Sequence, residues 1–202
     1  MLKKICSGVA AGVLIGIGGT VFLACDNKYV GAGLFTVALL CICLKGYSLY
    51  TGKIGFIPEQ HDKDTVETLL LGLLGNLIGT VAAGYAILLT RPALSDAAYE
   101  MCKGKLEQGF FETLVRGIFC GILMYLAVSV YRDKKQIVGI LFCIPVFILC
   151  GFEHSVADMY YFAVSGMIDI RATGFIWIVI AGNTLGAMLL PGLHMVKEKT
   201  AR

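Results

Sequence analysis

Charged residues are scarce in this chain, and their scarcity excludes an ordinary water-soluble domain. Only 15% of the 202 residues are charged, whereas a soluble domain typically carries about 25%. Apolar residues make up 57% of the chain, and the mean hydropathy is +0.80. They are gathered into long blocks, and a helix needs about 20 apolar residues to cross a bilayer core of about 30 Å. The sequence therefore predicts an all-α membrane protein in a lipid bilayer.

The chain also lacks the patterns of common catalytic and metal sites. Its eight cysteines form no C-x-x-C pair, and its three histidines, His61, His154 and His194, lie far apart in sequence. The sequence has no phosphate-binding loop, no G-x-S-x-G turn and no paired catalytic carboxylates. Its basic residues are scattered among short loops, unlike a nucleic-acid patch. We therefore expect no enzyme activity, no metal, no cofactor and no nucleic-acid partner, and we interpret the cysteines as packing residues.

Six apolar blocks predict six membrane-spanning segments, of which the second and the fifth are interrupted. The first block follows Lys3 and Lys4, but it is too long for the apolar core of a signal peptide and precedes no A-x-A cleavage site. We therefore expect it to be a retained span. The predicted spans are 5–25, 30–57, 65–90, 108–131, 136–167 and 171–193.

The distribution of basic residues predicts the orientation of these spans. With the N-terminus in the cytoplasm, ten lysines and arginines fall on the cytoplasmic side and five on the other, which predicts a cell-membrane protein with both termini cytoplasmic. The cytoplasmic ten are Lys3, Lys4, Lys53, Lys63, Arg132, Lys134, Lys135, Lys197, Lys199 and Arg202. The other five are Lys28, Arg91, Lys103, Lys105 and Arg171. We expect the external loop 91–109 to form a short amphipathic surface segment, and we assign it no function.

A short motif recurs in the last span of each half of the chain. G-N-x-x-G occurs at 75–79 and at 182–186. Small residues at this spacing let helix backbones approach closely in lipid, although two such stripes can also arise by chance. An unpaired amide facing lipid tails would be costly, so we expect Asn76 and Asn183 to face protein and to support the structure around a pore.

The second span of each half is broken by polar residues, at 45–52 and at 151–158. Three spans per half make the halves, about 1–90 and 108–195, inverted repeats within one channel domain over 1–202. Paired broken helices in inverted repeats indicate a pathway near the midplane of the membrane. Irregular backbone at that depth must be buried in protein or line a cavity.

His154 is the leading candidate for a functional residue in these breaks. A histidine beside Glu153 within an apolar block is costly unless it has partners or water. One interpretation is a packing histidine bonded to nearby backbone, but the opposite break with Thr51 favours a pore site. Histidine can exchange a proton with a weak acid, and a threonine hydroxyl can donate to an anion or hold the imidazole. We expect Glu153 and Asp158 to bond backbone groups freed at the break.

These segments resemble those of the formate/nitrite transporter family. G-F-E-H-S-V-A-D-M at 151–159 is similar to the family's G-F-E-H-S-x-A-N-M, and S-L-Y-T-G at 48–52 is similar to E-L-F-T-G. The resemblance covers essentially the whole chain. It implies a homopentamer of aquaporin-like, six-span protomers, each with its own pore for formate, nitrite, hydrosulfide or another small monovalent anion. It also implies that Thr51 and His154 form the pore centre.

The resemblance further implies an apolar constriction on each side of that centre, although all five residues could equally pack in the core or against lipid. The constriction residues are Phe147, Phe35 and Leu39 toward the outside, and Leu49 and Tyr50 toward the cytoplasm. A pore-side lysine is expected at Lys135, with Lys134 as the other candidate. Asp158 and Gly121 depart from the family, since asparagine is common at these pore-adjacent positions. The segment before Pro58 is short, which predicts a reduced second half of span two.

Two routes for the anion's charge are compatible with the sequence. A proton from the His154–Thr51 centre could let a weak acid cross the apolar constrictions as a neutral molecule. Alternatively, the anion keeps its charge and fixed dipoles compensate it. The main alternative function is a channel for a neutral solute such as water, urea or ammonia, although the chain has no asparagine-proline-alanine pair. A non-transporting assembly or sensing subunit is the other alternative, which the paired breaks disfavour.

Overall fold

A computed structural model describes residues 1–200, with side chains to residue 197. Arg202 and the side chain of Lys199, both counted as cytoplasmic cations, lie outside the described residues. The helices within this range are α1 Leu2–Ala24, α2 Lys28–Lys45, α3 Tyr50–Lys53, α4 Lys63–Leu88, α5 Leu94–Leu106, α6 Phe110–Lys134, α7 Val138–Leu149, α8 Ser155–Ser165 and α9 Ile170–Thr200. The described residues contain no strand, which confirms the prediction of an all-helical fold.

Five of these helices, α1, α2, α4, α6 and α9, are long and apolar enough to cross a membrane, and α7 is a shorter apolar helix. Their outward faces carry large apolar side chains such as Leu34, Leu70 and Trp177, which are more than half exposed in the protomer. A large apolar exterior of this kind indicates lipid or protein neighbours rather than water. The chain is therefore a multi-pass membrane protein.

The polar interruptions in the sequence are breaks between helices. α2 ends before Gly46, and α7 ends shortly before Gly151, and both glycines have a positive φ that other residues rarely adopt. The chain resumes as the short α3, extended by a 3₁₀ turn at Ile54–Phe56, and as the longer α8. The second half of the broken second segment is therefore short, as the sequence before Pro58 predicted.

Two helix pairs, α1 with α4 and α6 with α9, pack so closely that their backbones touch. A methyl group built on Gly12 would collide with the backbone of Asn76, and one built on Gly121 would collide with that of Asn183. Gly121 therefore belongs to a helix contact and not to a pore wall, which corrects its description as pore-adjacent. The position has no room for an asparagine side chain.

We expect Gly121→Ala to lower the melting temperature of the detergent-solubilised protein by several degrees. Overpacking typically costs about 1–3 kcal/mol, and 1 kcal/mol corresponds to about 2–4 °C for a chain of this length. The matched control is Gly174→Ala on α9, where no described atom beyond the neighbouring turns of the same helix lies within 4 Å of the added methyl group. Equal melting temperatures for the two variants would show that the α6–α9 contact tolerates separation.

Candidate pore centre

Asn76 fixes the break between α2 and α3. Its Nδ2 donates to the carbonyl oxygens of Gly8, at 2.9 Å, and Ser48, at 2.8 Å. Its Oδ1 accepts the backbone N–H of Tyr50 at 2.9 Å. Because Asn76 is fully buried, these bonds supply partners for backbone groups that the break removes from a helix.

Asn183 fixes the break between α7 and α8 with the same set of bonds. Its Nδ2 donates to the carbonyl oxygens of Gly117, at 2.9 Å, and Glu153, at 2.8 Å. Its Oδ1 accepts the N–H of Ser155 at 2.9 Å. The prediction that both asparagines face protein is therefore confirmed, and each motif joins a broken segment to the first helix of its own half.

The two breaks bring Thr51 and His154 into direct contact. Thr51 Oγ1 lies 2.8 Å from His154 Nε2, and both side chains are at most 2% exposed. These residues are 103 positions apart in the chain, so only the meeting of the two breaks places them together. Both positions had been singled out by the sequence.

The hydrogen bonds of His154 also indicate its tautomer. His154 is the N-cap of α8, and its Nδ1 accepts the backbone N–H of Ala157 at 3.1 Å. A neutral imidazole has one N–H donor and one acceptor nitrogen, so the remaining nitrogen, Nε2, donates to Thr51 Oγ1. The hydroxyl proton of Thr51 then remains available to another acceptor. Protonation of Nδ1 would break the cap, so this geometry favours a neutral His154.

Four of the predicted constriction residues are buried in the protomer. The Phe147 ring stacks on the imidazole of His154, with centroids 5.6 Å apart and an interplanar angle of 21°. Phe147 also meets the ring of Phe35 edge to face, at a centroid distance of 6.4 Å. Leu39 and Leu49 are each 1% exposed and line a different cavity.

Two cavities with no lining residue in common reach this region. The His154 cavity has a volume of about 290 Å³. Its lining includes Phe35, Lys105, Phe147, Glu153, His154 and Asp158. The Lys53 cavity has a volume of about 490 Å³. Its lining includes Leu39, Leu49, Lys53, Asp64, Arg132 and Lys135. Phe35 and Phe147 thus border the cavity that His154 lines, and Leu39 and Leu49 border the other cavity.

Lys53 is a cation without an acidic partner among the described residues. Its Nζ donates to Ser48 Oγ at 3.0 Å, and no described carboxylate lies within 4 Å. Arg132, at the same cavity, is paired with Glu59 at 2.8 Å. The predicted Lys135 also lines this cavity, where its ammonium lies 5.5 Å from the ring centre of Tyr131, and Lys134 is not part of the lining.

Lys105 contacts Glu153 and Asp158, two acids close to His154 in sequence. This contact was not predicted from the sequence. Lys105 Nζ lies 3.0 Å from Asp158 Oδ1 and also contacts Glu153 Oε2. Gln108 Nε2 donates to the other oxygen of Glu153 at 2.7 Å. The two carboxylates therefore bond side chains from the loop, which corrects the expectation that they bond freed backbone groups.

Lys105 remains an ammonium group in this setting. Burial opposes its charge, but the nearby Asp158 and Glu153 outweigh burial and raise the pKa of Lys105 above its ordinary value. A signal for this contact was present in the sequence. Two acids inside an apolar block need a cation, and the unassigned segment 91–109 contains several.

Tyr50 makes a contact with α9 that its predicted constriction role did not include. Its hydroxyl lies 2.9 Å from Thr184 Oγ1 on α9, and it lines neither cavity. Leu49 precedes α3 and faces the Lys53 cavity, whereas Tyr50 begins the helix and points toward α9. The phenolic hydroxyl needs a hydrogen-bond partner when buried, and Thr184 provides one.

Known proteins resemble this chain in sequence. The family model described as "Formate/nitrite transporter" matches residues 1–196. Formate-nitrite transporter 2 of Toxoplasma gondii is 28% identical over 82% of this chain, which spans 40% of that protein. The uncharacterized transporter YwcJ of Bacillus subtilis is 27% identical over 83% of this chain and 75% of its own length.

Solved structures show the same fold. A pentameric formate channel with formate bound has a TM-score of 0.79 at 20% identity, covering 98% of this chain and 97% of the channel chain. An FNT family ion channel has a TM-score of 0.81 at 23% identity, with 98% and 88% covered. These relatives and neighbours are transporters or channels, which argues against an enzyme.

Proposed function

The chain belongs to the formate/nitrite transporter family, and from this premise we propose that it is a membrane channel for a small monovalent weak-acid anion. Formate, nitrite and hydrosulfide are the candidate substrates. Each protomer has its own pore, with Thr51 and His154 at the centre. Phe35 and Phe147 form one constriction, and Leu39 and Leu49 form the other.

The observation that carries the proposal is the fully buried Thr51–His154 contact between two cavities. An anion that reaches this point leaves its water behind, which costs several kcal/mol unless donors replace the water. Thr51 supplies a hydroxyl donor, and His154 holds that hydroxyl in place. The hydrogen bond between Tyr50 and Thr184 ties the start of α3 to α9, and so holds the adjacent Leu49 in position.

The architecture that goes with this function has six spans in two inverted repeats, about 1–90 and 108–195, within one aquaporin-like domain over 1–202. Asn76 and Asn183 support the repeat, since each makes the same three bonds in its own half. The protein assembles as a homopentamer in the cell membrane, with both termini in the cytoplasm.

Lys53 attracts the anion into the wider cavity in this proposal, assisted by Lys135. We expect Lys53→Gln to raise the half-saturating anion concentration several-fold and to leave the maximal flux largely unchanged, because the ammonium acts before the constriction. The control is Lys63→Gln, which removes an exposed lysine at the start of α4. A fall in maximal flux without a change in half-saturation would place Lys53 in the narrow part of the path.

The test of the function is flux into proteoliposomes that contain the full chain. We would measure formate, nitrite, hydrosulfide and chloride with and without a clamped voltage, between pH 5 and 8. We expect selective passage of at least one weak-acid anion. Absence of flux for all of them, in protein shown to be folded and pentameric, would refute the proposal.

A neutral-solute channel is the second candidate, because the proposed centre is uncharged when His154 is neutral. That function predicts passage of water, urea or ammonia at rates that depend neither on voltage nor on the pKa of the substrate. Measuring urea and ammonia in the same vesicles separates the two functions.

A further inference from the structure

The two breaks in the fold correspond to each other residue by residue. Tyr50 and Ser155 each donate their backbone N–H, at 2.9 Å, to the asparagine that fixes their break. Counting three positions onward from these two donors leads to Lys53 in one half of the chain and to Asp158 in the other. Corresponding positions of the two breaks therefore carry side chains of opposite charge.

The residues two positions before the same donors extend this contrast. Ser48 and Glu153 each give their carbonyl oxygen to the asparagine of their break. Lys53 Nζ donates to the Ser48 hydroxyl at 3.0 Å. In the other half, the carboxyl groups of Asp158 and Glu153 interact with each other. The same short turn is thus built around an ammonium group in one half and around two acids in the other.

The acids have a partner of opposite charge, whereas the ammonium group has none among the described residues. Lys105 Nζ lies 3.0 Å from Asp158 Oδ1 and also contacts Glu153 Oε2. Lys53 is half-buried, and no described carboxylate lies within 4 Å of its Nζ. An anion that comes close to Lys53 would therefore meet a positive charge that no nearby acid neutralises.

The two positions line cavities at opposite ends of α1. Asp64 lines the Lys53 cavity and is paired at 2.7 Å with Lys4, in the first turn of α1. Phe22, near the last residue of the same helix, lines the His154 cavity. The helix rises about 27 Å between Lys4 and Phe22. The Lys53 cavity thus lies on the face of the protomer that holds the N-terminus, and the His154 cavity lies toward the opposite face.

The other charged residues of the two cavities follow the same contrast. The Lys53 cavity is lined by three basic residues and one acid, namely Lys53, Arg132, Lys135 and Asp64. The His154 cavity is lined by two basic residues and two acids, namely Lys105, Arg116, Glu153 and Asp158. A cleft lined by one sign of charge between walls of low dielectric constant raises the local concentration of ions of the other sign. We therefore expect anions to accumulate in the Lys53 cavity and not in the His154 cavity.

We propose that Lys53 makes the two faces of the pore unequal, so that the face holding the N-terminus binds the permeating anion more tightly than the opposite face. This inference rests on the proposed function, since it concerns the same pore and the same anions. Passage through a channel is passive, and detailed balance at zero voltage then requires the same ratio of maximal flux to half-saturating concentration from both faces. Tighter binding at the Lys53 face is therefore accompanied by a lower maximal flux from that face.

The experiment measures formate entry from each face separately. Right-side-out and inside-out membrane vesicles are prepared from cells that produce the full chain, and vesicles from cells without it give the background. Initial uptake of radiolabelled formate is recorded at one pH with the membrane potential held at zero. Antibody access to an N-terminal epitope tag identifies the face that holds the Lys53 cavity. We expect a half-saturating concentration several-fold lower at that face, with a maximal flux lower by the same factor.

Two variants of Lys53 separate its charge from its packing. Lys53→Gln removes the charge and should abolish most of the difference between the faces. Lys53→Arg keeps the charge and should preserve the difference. The control is Lys63→Gln, which removes an exposed lysine from the start of α4 on the same face and should behave like wild type.

Equal half-saturating concentrations at the two faces of the wild-type protein would overturn the inference and leave the proposed function intact. A difference that persists undiminished in folded Lys53→Gln would also overturn it, because the asymmetry would then arise elsewhere in the pore. Absence of formate, nitrite and hydrosulfide flux from both faces, in folded protein, would instead refute the proposed function, and the inference with it.

Discussion

Thr51→Val is expected to reduce anion flux by about 10- to 100-fold. Valine matches threonine in shape but lacks the hydroxyl group that we propose donates to the dehydrated anion. A hydrogen bond to a charged group is worth about 1.5–3 kcal/mol, and each 1.36 kcal/mol corresponds to a tenfold change in rate. The variant also leaves the Nε2–H of His154 without the acceptor that now lies at 2.8 Å.

Thr51→Ser keeps the hydroxyl and should retain most of the flux, so the pair of variants separates the loss of a donor from the loss of packing. Thr36→Val provides a second comparison, since Thr36 is a buried threonine on α2 whose hydroxyl donates to the nearby Gly33 carbonyl. Flux would be measured at a saturating anion concentration in vesicles with equal amounts of folded protein. Wild-type flux in Thr51→Val would mean that the anion finds its donor elsewhere.

The sequence predicted the parts of the structure that depend on local chemistry. Long apolar blocks indicate membrane helices wherever they lie, and a polar interruption such as 151–158 indicates a break in the helix. Asn76 and Asn183 were predictable as buried residues, because a side-chain amide at the depth of the lipid tails needs a hydrogen-bond partner from the protein. The number of spans and the side of the membrane on which the termini lie stay predictions.

The contacts of the loop helix could not be predicted in the same way. Lys105 lies 48 positions before Glu153, on a segment whose mixed polar composition equally fits an exposed helix. Its burial depends on α5 folding back over α8, which is a tertiary property. The same reason applies to Gly121, since the sequence shows a glycine but not the helix that approaches it.

His154 shows which properties of a residue depend on the folded chain. Its position in an apolar block marked it as functional, and its intrinsic pKa suggested proton exchange. In the folded chain it caps α8 through Nδ1 and contacts Thr51 through Nε2. Two hydrogen bonds therefore use both nitrogens, so proton exchange at His154 would have to break one of them.

Phe147→Ala is expected to relax the discrimination between formate and larger carboxylates such as acetate by about tenfold or more. A single added methylene is typically worth about 1–3 kcal/mol in a tight apolar site, which corresponds to about 10- to 200-fold. Phe147 is 4% exposed and contacts both Phe35 and His154. Removing its ring opens the proposed constriction and frees one face of the imidazole.

Truncation of a buried phenylalanine to alanine commonly lowers the free energy of unfolding by about 3–5 kcal/mol. Phe147→Leu is therefore the companion variant, because leucine retains more of the packing. It should change the discrimination in the same direction but by less. The matched control is Phe142→Ala on the same helix, where the ring is 68% exposed and faces outward. The measurement is the ratio of acetate to formate flux at one pH, in protein of equal thermal stability. An unchanged ratio in both Phe147 variants would show that the phenylalanine pair does not limit substrate size, and the leucine pair Leu39–Leu49 would then be the remaining constriction to test.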